Sequence, residues 1–184
     1  MSAKHLFISS TLIPVSMTIQ EIDFLRESNN IENEWSDLSL QDAIHAWQYA
    51  TRKKHLTVKD ILNIHALLMR TRKTIGESDK GNIRTKPVYI GGHEAMNWTF
   101  IPNALNQWVI NLNDVVNNGQ QEQETFKEQI CFKMHIKYEA IHPFIDGNGR
   151  SGRLLLSWMR VKLGLPIEVI YEREKQSYYK WFFK

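Results

Sequence analysis

Twelve consecutive residues, His142 to Arg153, read H-P-F-I-D-G-N-G-R-S-G-R, and their types suit chemistry at a phosphate. Gly147 and Gly149 let the main chain approach a ligand closely, and the helix predicted to follow them offers unpaired N–H groups and a positive dipole end to an anion. Arg150 and Arg153 stand three apart at the start of that helix, so both guanidinium groups can serve one polyphosphate, a triphosphate more readily than a monophosphate. Asp146 supplies the hard oxygen ligand that Mg2+ prefers beside phosphates. His142, with an unperturbed pKa of about 6.5, is mostly neutral at neutral pH and can accept a proton from an attacking hydroxyl. Each residue alone has a plainer reading as a cap, a turn or a surface charge. Clamp, metal ligand and base together in one loop read as a site.

Competing phosphate and metal motifs fail on context. Gly147 to Gly152 matches the dinucleotide fingerprint G-x-G-x-x-G, which requires a preceding β-strand, whereas residues 125–141 carry charged, helical patterning. There is no G-x-x-x-x-G-K-[ST] and no H-E-x-x-H.

The elements that must position the loop are mostly helical. Thr18 with Glu21, Ser39 with Asp42 and Thr57 with Asp60 have capping-box spacing. From Thr57 the residues Val58, Ile61, Leu62, His65, Leu68 and Met69 recur at helical spacing, and helical patterning returns at 104–116 and 125–141. Phe126, Ile130, Met134 and Tyr138 form a stripe on the last of these, which Pro143 ends. A helix through Leu154, Leu155, Trp158 and Val161 follows the loop and closes at Gly164 and Pro166. Between them, glycines and Pro87 punctuate two β-prone runs, 88–90 and 98–101, which predict a small hairpin flap over about 86–103. The fold class is therefore mainly α, a helical bundle with little sheet, in one domain over 1–184.

Composition excludes several classes. The 184 residues carry a net charge of +3 with Lys and Arg spread along the chain, so nucleic-acid binding is not expected. No apolar run reaches the roughly 18 residues needed to cross a bilayer. The N-terminal LFISSTLIPVS is too polar for an export signal and lacks a cleavage site. The single cysteine, Cys131, reads as a core thiol, consistent with a cytoplasmic location. His135 reads as a packing or orienting residue, and His45, His55, His65 and His93 carry no supporting neighbours in sequence.

The twelve-residue segment resembles the Fic signature H-x-F-x-[DE]-G-N-G-R-x-x-R at every specified position: His142, Phe144, Asp146, Gly147, Asn148, Gly149, Arg150 and Arg153. VYIGG at 88–92 with TFIPN at 99–103, and ILNIHALLM at 61–69, extend the likeness over most of the chain from about residue 28. The resemblance implies a helical bundle with the motif between two central helices, and transfer of AMP from Mg-ATP to a Ser, Thr or Tyr hydroxyl of a target protein or of the chain itself. It implies His142 as general base and Asp146 as Mg2+ ligand. Gly147, Asn148, Gly149, Arg150 and Arg153, with Phe144, would form the nucleotide-binding loop, and the flap at Val88, Tyr89, Ile90, Gly91 and Gly92 would dock the target by strand pairing. Ser28 to Asn33 also resembles the family's inhibitory pattern [ST]-x-x-x-E-[GN]. That likeness implies an N-terminal inhibitory helix over about 18–36, in which Ser28 and Glu32 act on Arg153, and leaves a reverse removal of AMP open. The alternative is a non-catalytic ATP-binding sensor, and other nucleotide donors remain open.

Overall fold

The computed structural model describes residues 17–182. The apolar N-terminal run weighed as an export signal lies outside them. Seven α-helices are described: α1 (Ile19–Ile31), α2 (Asp37–Thr51), α3 (Val58–Leu68), α4 (Ile101–Asn118), α5 (Glu124–Ile141), α6 (Asn148–Lys162) and α7 (Lys175–Tyr179). A two-stranded antiparallel hairpin, β1 (Tyr89–Ile90) and β2 (His93–Glu94), pairs Tyr89 with Glu94 and Ile90 with His93. The expected mainly-α bundle with a small hairpin is what the chain forms. Among the described residues no helix is long and apolar enough to cross a membrane.

α6 is the central strut, packed against α1, α2, α3, α4 and α5. Every residue from Arg150 to Arg160 is buried, including Leu154, Leu155, Leu156 and Trp158. Buried tryptophans close the core without orphaning their N–H groups: Trp47 Nε1 donates to Glu21 at 2.8 Å, Trp108 Nε1 to the Met134 carbonyl at 2.9 Å and Trp158 Nε1 to the Ala50 carbonyl at 2.9 Å. α1 is fastened to this core by Phe24, Leu25 and Ile31, with the Phe24 ring edge-on to Trp47 at 5.2 Å.

Local chemistry explains where prediction and structure part. Capping boxes form at Thr18 with Glu21 and at Thr57 with Asp60, but α2 is capped by Ser36, whose hydroxyl accepts from the Ser39 amide at 3.1 Å; Ser39 lies inside the helix. The second flap strand is not 98–101. Gly91 and Gly92, at φ of +56° and +86°, turn the chain back at once, so His93–Glu94 pairs with Tyr89–Ile90. Asn97 then caps a 3₁₀ turn over Trp98–Phe100, and Pro102 opens α4. Phe126 is exposed, so the α5 stripe that packs inward begins beyond it, with Cys131, Met134 and Tyr138 buried.

The Thr57 cap holds the helix that carries His65 under the loop between α5 and α6. Thr57 Oγ1 donates to Asp60 Oδ2 at 2.6 Å and accepts from the Asp60 amide at 3.2 Å. Thr57→Ala is expected to lower the unfolding free energy by about 1 kcal/mol. The measurement is a lower urea midpoint at unchanged slope, and an unmoved midpoint would show that the cap adds nothing.

Candidate active site

The loop between α5 and α6 is built by constraints from outside it. α5 ends because His142 turns left-handed, at φ +49° and ψ 63°, and Pro143 follows. The Asn148 side chain then staples the turn: its Oδ1 accepts from the Phe144 amide and its Nδ2 donates to the Phe144 carbonyl, both at 2.9 Å. Phe144, fully buried, stacks on His65 with ring centroids 3.7 Å apart and planes within 6°. Gly147, at φ +80°, leaves no room for a side chain, since a Cβ there would stand 2.7 Å from Met69 Sδ and 3.1 Å from His65 Nε2.

His65, which has no supporting neighbours in sequence, is thus a floor for the loop. Its Nδ1 accepts from the Gly81 amide at 2.9 Å, which leaves the proton on Nε2 to be donated to the Asp146 carbonyl at 2.9 Å. Burial lowers its pKa to about 4, with the Asp146 carbonyl opposing, so the ring is neutral and this tautomer is the relevant one. The partner lies 81 residues away, so no local pattern could reveal the role.

At the start of α6 the two arginines take different places. Arg153 is buried, its Nε donating to Ser28 Oγ at 3.0 Å and its Nη2 to the Ser28 carbonyl at 2.9 Å. The same Nη2 meets Glu32 Oε1 at 2.7 Å, and Tyr178 Oη is 3.4 Å from Nη1. Ser28, in the last turn of α1, and Glu32, its C-cap, are one turn apart and therefore reach one guanidinium together. Asn33, at φ +59°, ends the turn directly after Glu32, a conformation that favours Asn or Gly. The Glu32 carboxylate lies over Gly149, in the space that a side chain at that position would fill. Arg150 instead turns beneath the loop, with Nη2 2.8 Å from Met69 Sδ. Burial lowers its pKa, and Arg153 and Arg72 add like-charge repulsion against Asp146 and Glu32.

His142 lines a cleft of about 690 Å³ with Glu32, Gly149 and Arg153 on the anion side. Ile90 and His93 of the flap, Ile136 of α5 and Tyr178 and Tyr179 of α7 form other walls. Its pKa is lowered to about 4, first by burial and then by Arg84, while the Glu139 carbonyl, Glu32 and Asp146 pull upward. The imidazole is therefore neutral, and its Nδ1 is buried without a hydrogen-bond partner. One turn earlier on α5, Glu139 lines the same cleft, and burial, with the charge of Glu32, raises its carboxyl to about 7 against the pull of Arg153. Asp146 Oδ1 accepts from the Gly147 amide at 2.6 Å, and Oδ2 lies 3.5 Å from Arg72, which also pairs with Glu34. The flap residues Val88 to Gly92 stand outside this loop, with Tyr89 exposed and the Val88 carbonyl accepting from the Ala95 amide at 2.9 Å. His135, expected to pack or orient, is buried and contacts Tyr178 Oη at 2.9 Å. Cys131 is buried, as a core thiol should be.

Known proteins share this architecture. The curated protein adenylyltransferases Fic of Drosophila mojavensis and Drosophila grimshawi are 31% and 30% identical over 134 residues, which is 70% of this chain but 24% and 25% of theirs. The chain thus spans about a quarter of the length of these relatives. A Fic-domain signaling protein from Bacteroides thetaiotaomicron superposes with a TM-score of 0.73 at 20% identity, over 87% of this chain and 69% of that one. Fic-1 of C. elegans superposes with a TM-score of 0.70 at 20% identity, over 96% of this chain and 58% of that one. The Fic/DOC family profile matches residues 55–159, which hold the helix beneath the loop, the flap and the loop itself, and so the chain belongs to the Fic/DOC family.

Proposed function

We propose that this chain transfers AMP from ATP to a Ser, Thr or Tyr hydroxyl of a protein, and that Glu32 holds the activity down. The observation that carries this reading is the Glu32 carboxylate on Arg153 above Gly149, beside a neutral His142. A carboxylate at a helix N-terminus, gripped by a buried guanidinium, occupies a position chemically suited to a phosphate.

The proposed chemistry uses the residues in place. A target segment lies along the flap main chain, where hydrogen bonds between backbones align it with little demand on its side chains. The target oxygen bonds to the α-phosphorus, the bond to the pyrophosphate oxygen breaks, and His142 takes the hydroxyl proton. Arg153 and the amides of Asn148 and Gly149 would hold the polyphosphate in line, joined by Arg150 once it leaves Met69 and by the Gly147 amide once it leaves Asp146 Oδ1. Asp146 suits Mg2+: its carboxylate is partly exposed, and among the described residues no three His, Cys, Asp or Glu side chains converge on a metal-sized site. One carboxylate with phosphate and water oxygens is the ligand set Mg2+ prefers, and the ion would neutralise polyphosphate charge. While Glu32 occupies the guanidinium fork, a triphosphate is displaced, and misplacement of the reacting atoms by about 1 Å costs on the order of a hundredfold in rate. The same carboxylate could orient water for removal of AMP from a modified target.

The test is intact-protein mass spectrometry after incubation with Mg-ATP. Glu32→Gly leaves Arg153 its Ser28 and Tyr178 partners and is expected to raise AMP-adduct formation by about a hundredfold over wild type. His142→Ala in the same background should abolish the adduct while ATP binding persists. Equal adduct in wild type and Glu32→Gly would remove the brake. ATP binding without any adduct, on the chain or in a lysate, would favour the sensor reading.

The protonation states give a second expectation. His65, His142 and His135 have pKa values lowered to about 4, 4 and 3, each chiefly by burial. Below the unfolded value near 6.5 the unfolded chain binds more protons at these three, so stability falls as pH drops toward the folded values. Glu139, raised to about 7 from 4.5, works the other way over that interval, by one proton against three. Stability is expected to decline by on the order of 1 kcal/mol per pH unit between about pH 6.5 and 5. A melting temperature that stays flat over that range would show that these imidazoles are not held neutral.

A further inference from the structure

Arg84 belongs neither to the phosphate loop nor to the flap strands, yet it is 2% exposed and its donors are spent on main-chain carbonyls. Its Nε donates to the His142 carbonyl at 2.8 Å. Its Nη1 donates to the Lys86 carbonyl at 3.0 Å, just before β1, and its Nη2 to the Met96 carbonyl at 2.5 Å, just after β2. Its own amide donates to the Pro143 carbonyl at 3.0 Å. One guanidinium thus joins both stems of the hairpin to the residue at which α5 breaks.

Two further facts make this more than packing. The hairpin has only two residue pairs and an exposed face, so it cannot hold its own position against the bundle. His142 is a non-glycine residue in the left-handed region, a conformation that persists only where surrounding bonds over-determine it. A planar fork with fixed donor directions meets three carbonyls at once, whereas an ammonium on a flexible stem fixes none of those directions.

From these bonds we infer that Arg84 is a positioning residue that locks the target-docking flap to the backbone of His142, so that acceptor hydroxyl and base are set in one frame. This rests on the AMP-transfer reading above. Arg84 meets the loop only at the main-chain carbonyls of His142 and Pro143 and bonds to none of Gly147 to Arg153, so it acts on alignment of the acceptor and the base and leaves ATP binding alone.

The experiment compares Arg84→Lys and Arg84→Gln in the Glu32→Gly background by three readouts. Amide hydrogen exchange at Ala95, whose N–H bonds to Val88, is expected to quicken by more than about tenfold in both variants. The ATP Kd by calorimetry should stay within about twofold, and the initial rate of AMP-adduct formation should fall by about a hundredfold. The lysine variant keeps the charge and a similar volume, so it separates lost geometry from a folding failure, which circular dichroism and melting check directly. Unchanged exchange at Ala95, a loss of ATP affinity matching the loss of rate, or a full adduct rate in the lysine variant would each overturn the inference. If the Glu32→Gly parent makes no adduct, the transfer reading fails by itself, and the exchange and Kd readouts still decide whether Arg84 locks the flap.

Discussion

The left-handed turn at His142 is the constraint on which the rest of the site depends. It ends α5, aims the loop across the start of α6 and brings an imidazole to the edge of the anion site. A non-glycine residue in this conformation costs roughly 1–2 kcal/mol, so something must hold it. The holding groups are distributed: Arg84 on the His142 carbonyl, Asn148 on both main-chain groups of Phe144, and His65 under Phe144 and on the Asp146 carbonyl. Removing any one leaves the others, which is how a strained turn can persist in a small bundle.

The same loop sets the electrostatics. Burial keeps His142 and His65 neutral, while two arginines and the start of α6 make a positive end a few residues away. The Glu32 carboxylate answers that charge at Arg153. Magnitudes indicate what moves and what does not. Phe24, Leu25 and Ile31 fasten α1 to the core at about 1.5–3 kcal/mol each, whereas a pair whose carboxylate is one-third exposed is worth far less. α1 therefore stays docked whether or not Glu32 grips Arg153, and under the proposed function displacement of the carboxylate by a phosphate would be a side-chain event.

The sequence determined the parts that local chemistry fixes. Eight specified residues in twelve announced the loop, the Thr18 and Thr57 boxes marked two helix starts, and Pro143 marked where α5 stops, because caps, glycine turns and proline act within a few residues. The S-x-x-x-E-[GN] pattern was legible for a similar reason, since it encodes one helical turn and a left-handed stop. The flap was legible as a hairpin but misplaced in its second strand. Trp98, Thr99 and Phe100 have β-forming types, yet Asn97 and Pro102 recruit them to a helix start, and the Gly91-Gly92 turn leaves the next two residues to pair.

Tertiary structure alone decided the groups that act at a distance. His65, Arg84, Glu139 and Tyr178 are ordinary members of helices or loops in one dimension; His65 reaches Asp146 across 81 residues, Arg84 reaches His142 across 58 and Tyr178 reaches Arg153 across 25. Whether Glu32 reaches Arg153 was likewise undecidable from spacing, because 121 residues separate them and only the packing of α1 on α6 closes the gap. Side-chain type and local period report what a residue can do. Burial, the direction of a carbonyl and the sign of a neighbouring charge arise only once the helices have packed, and these decide what it does.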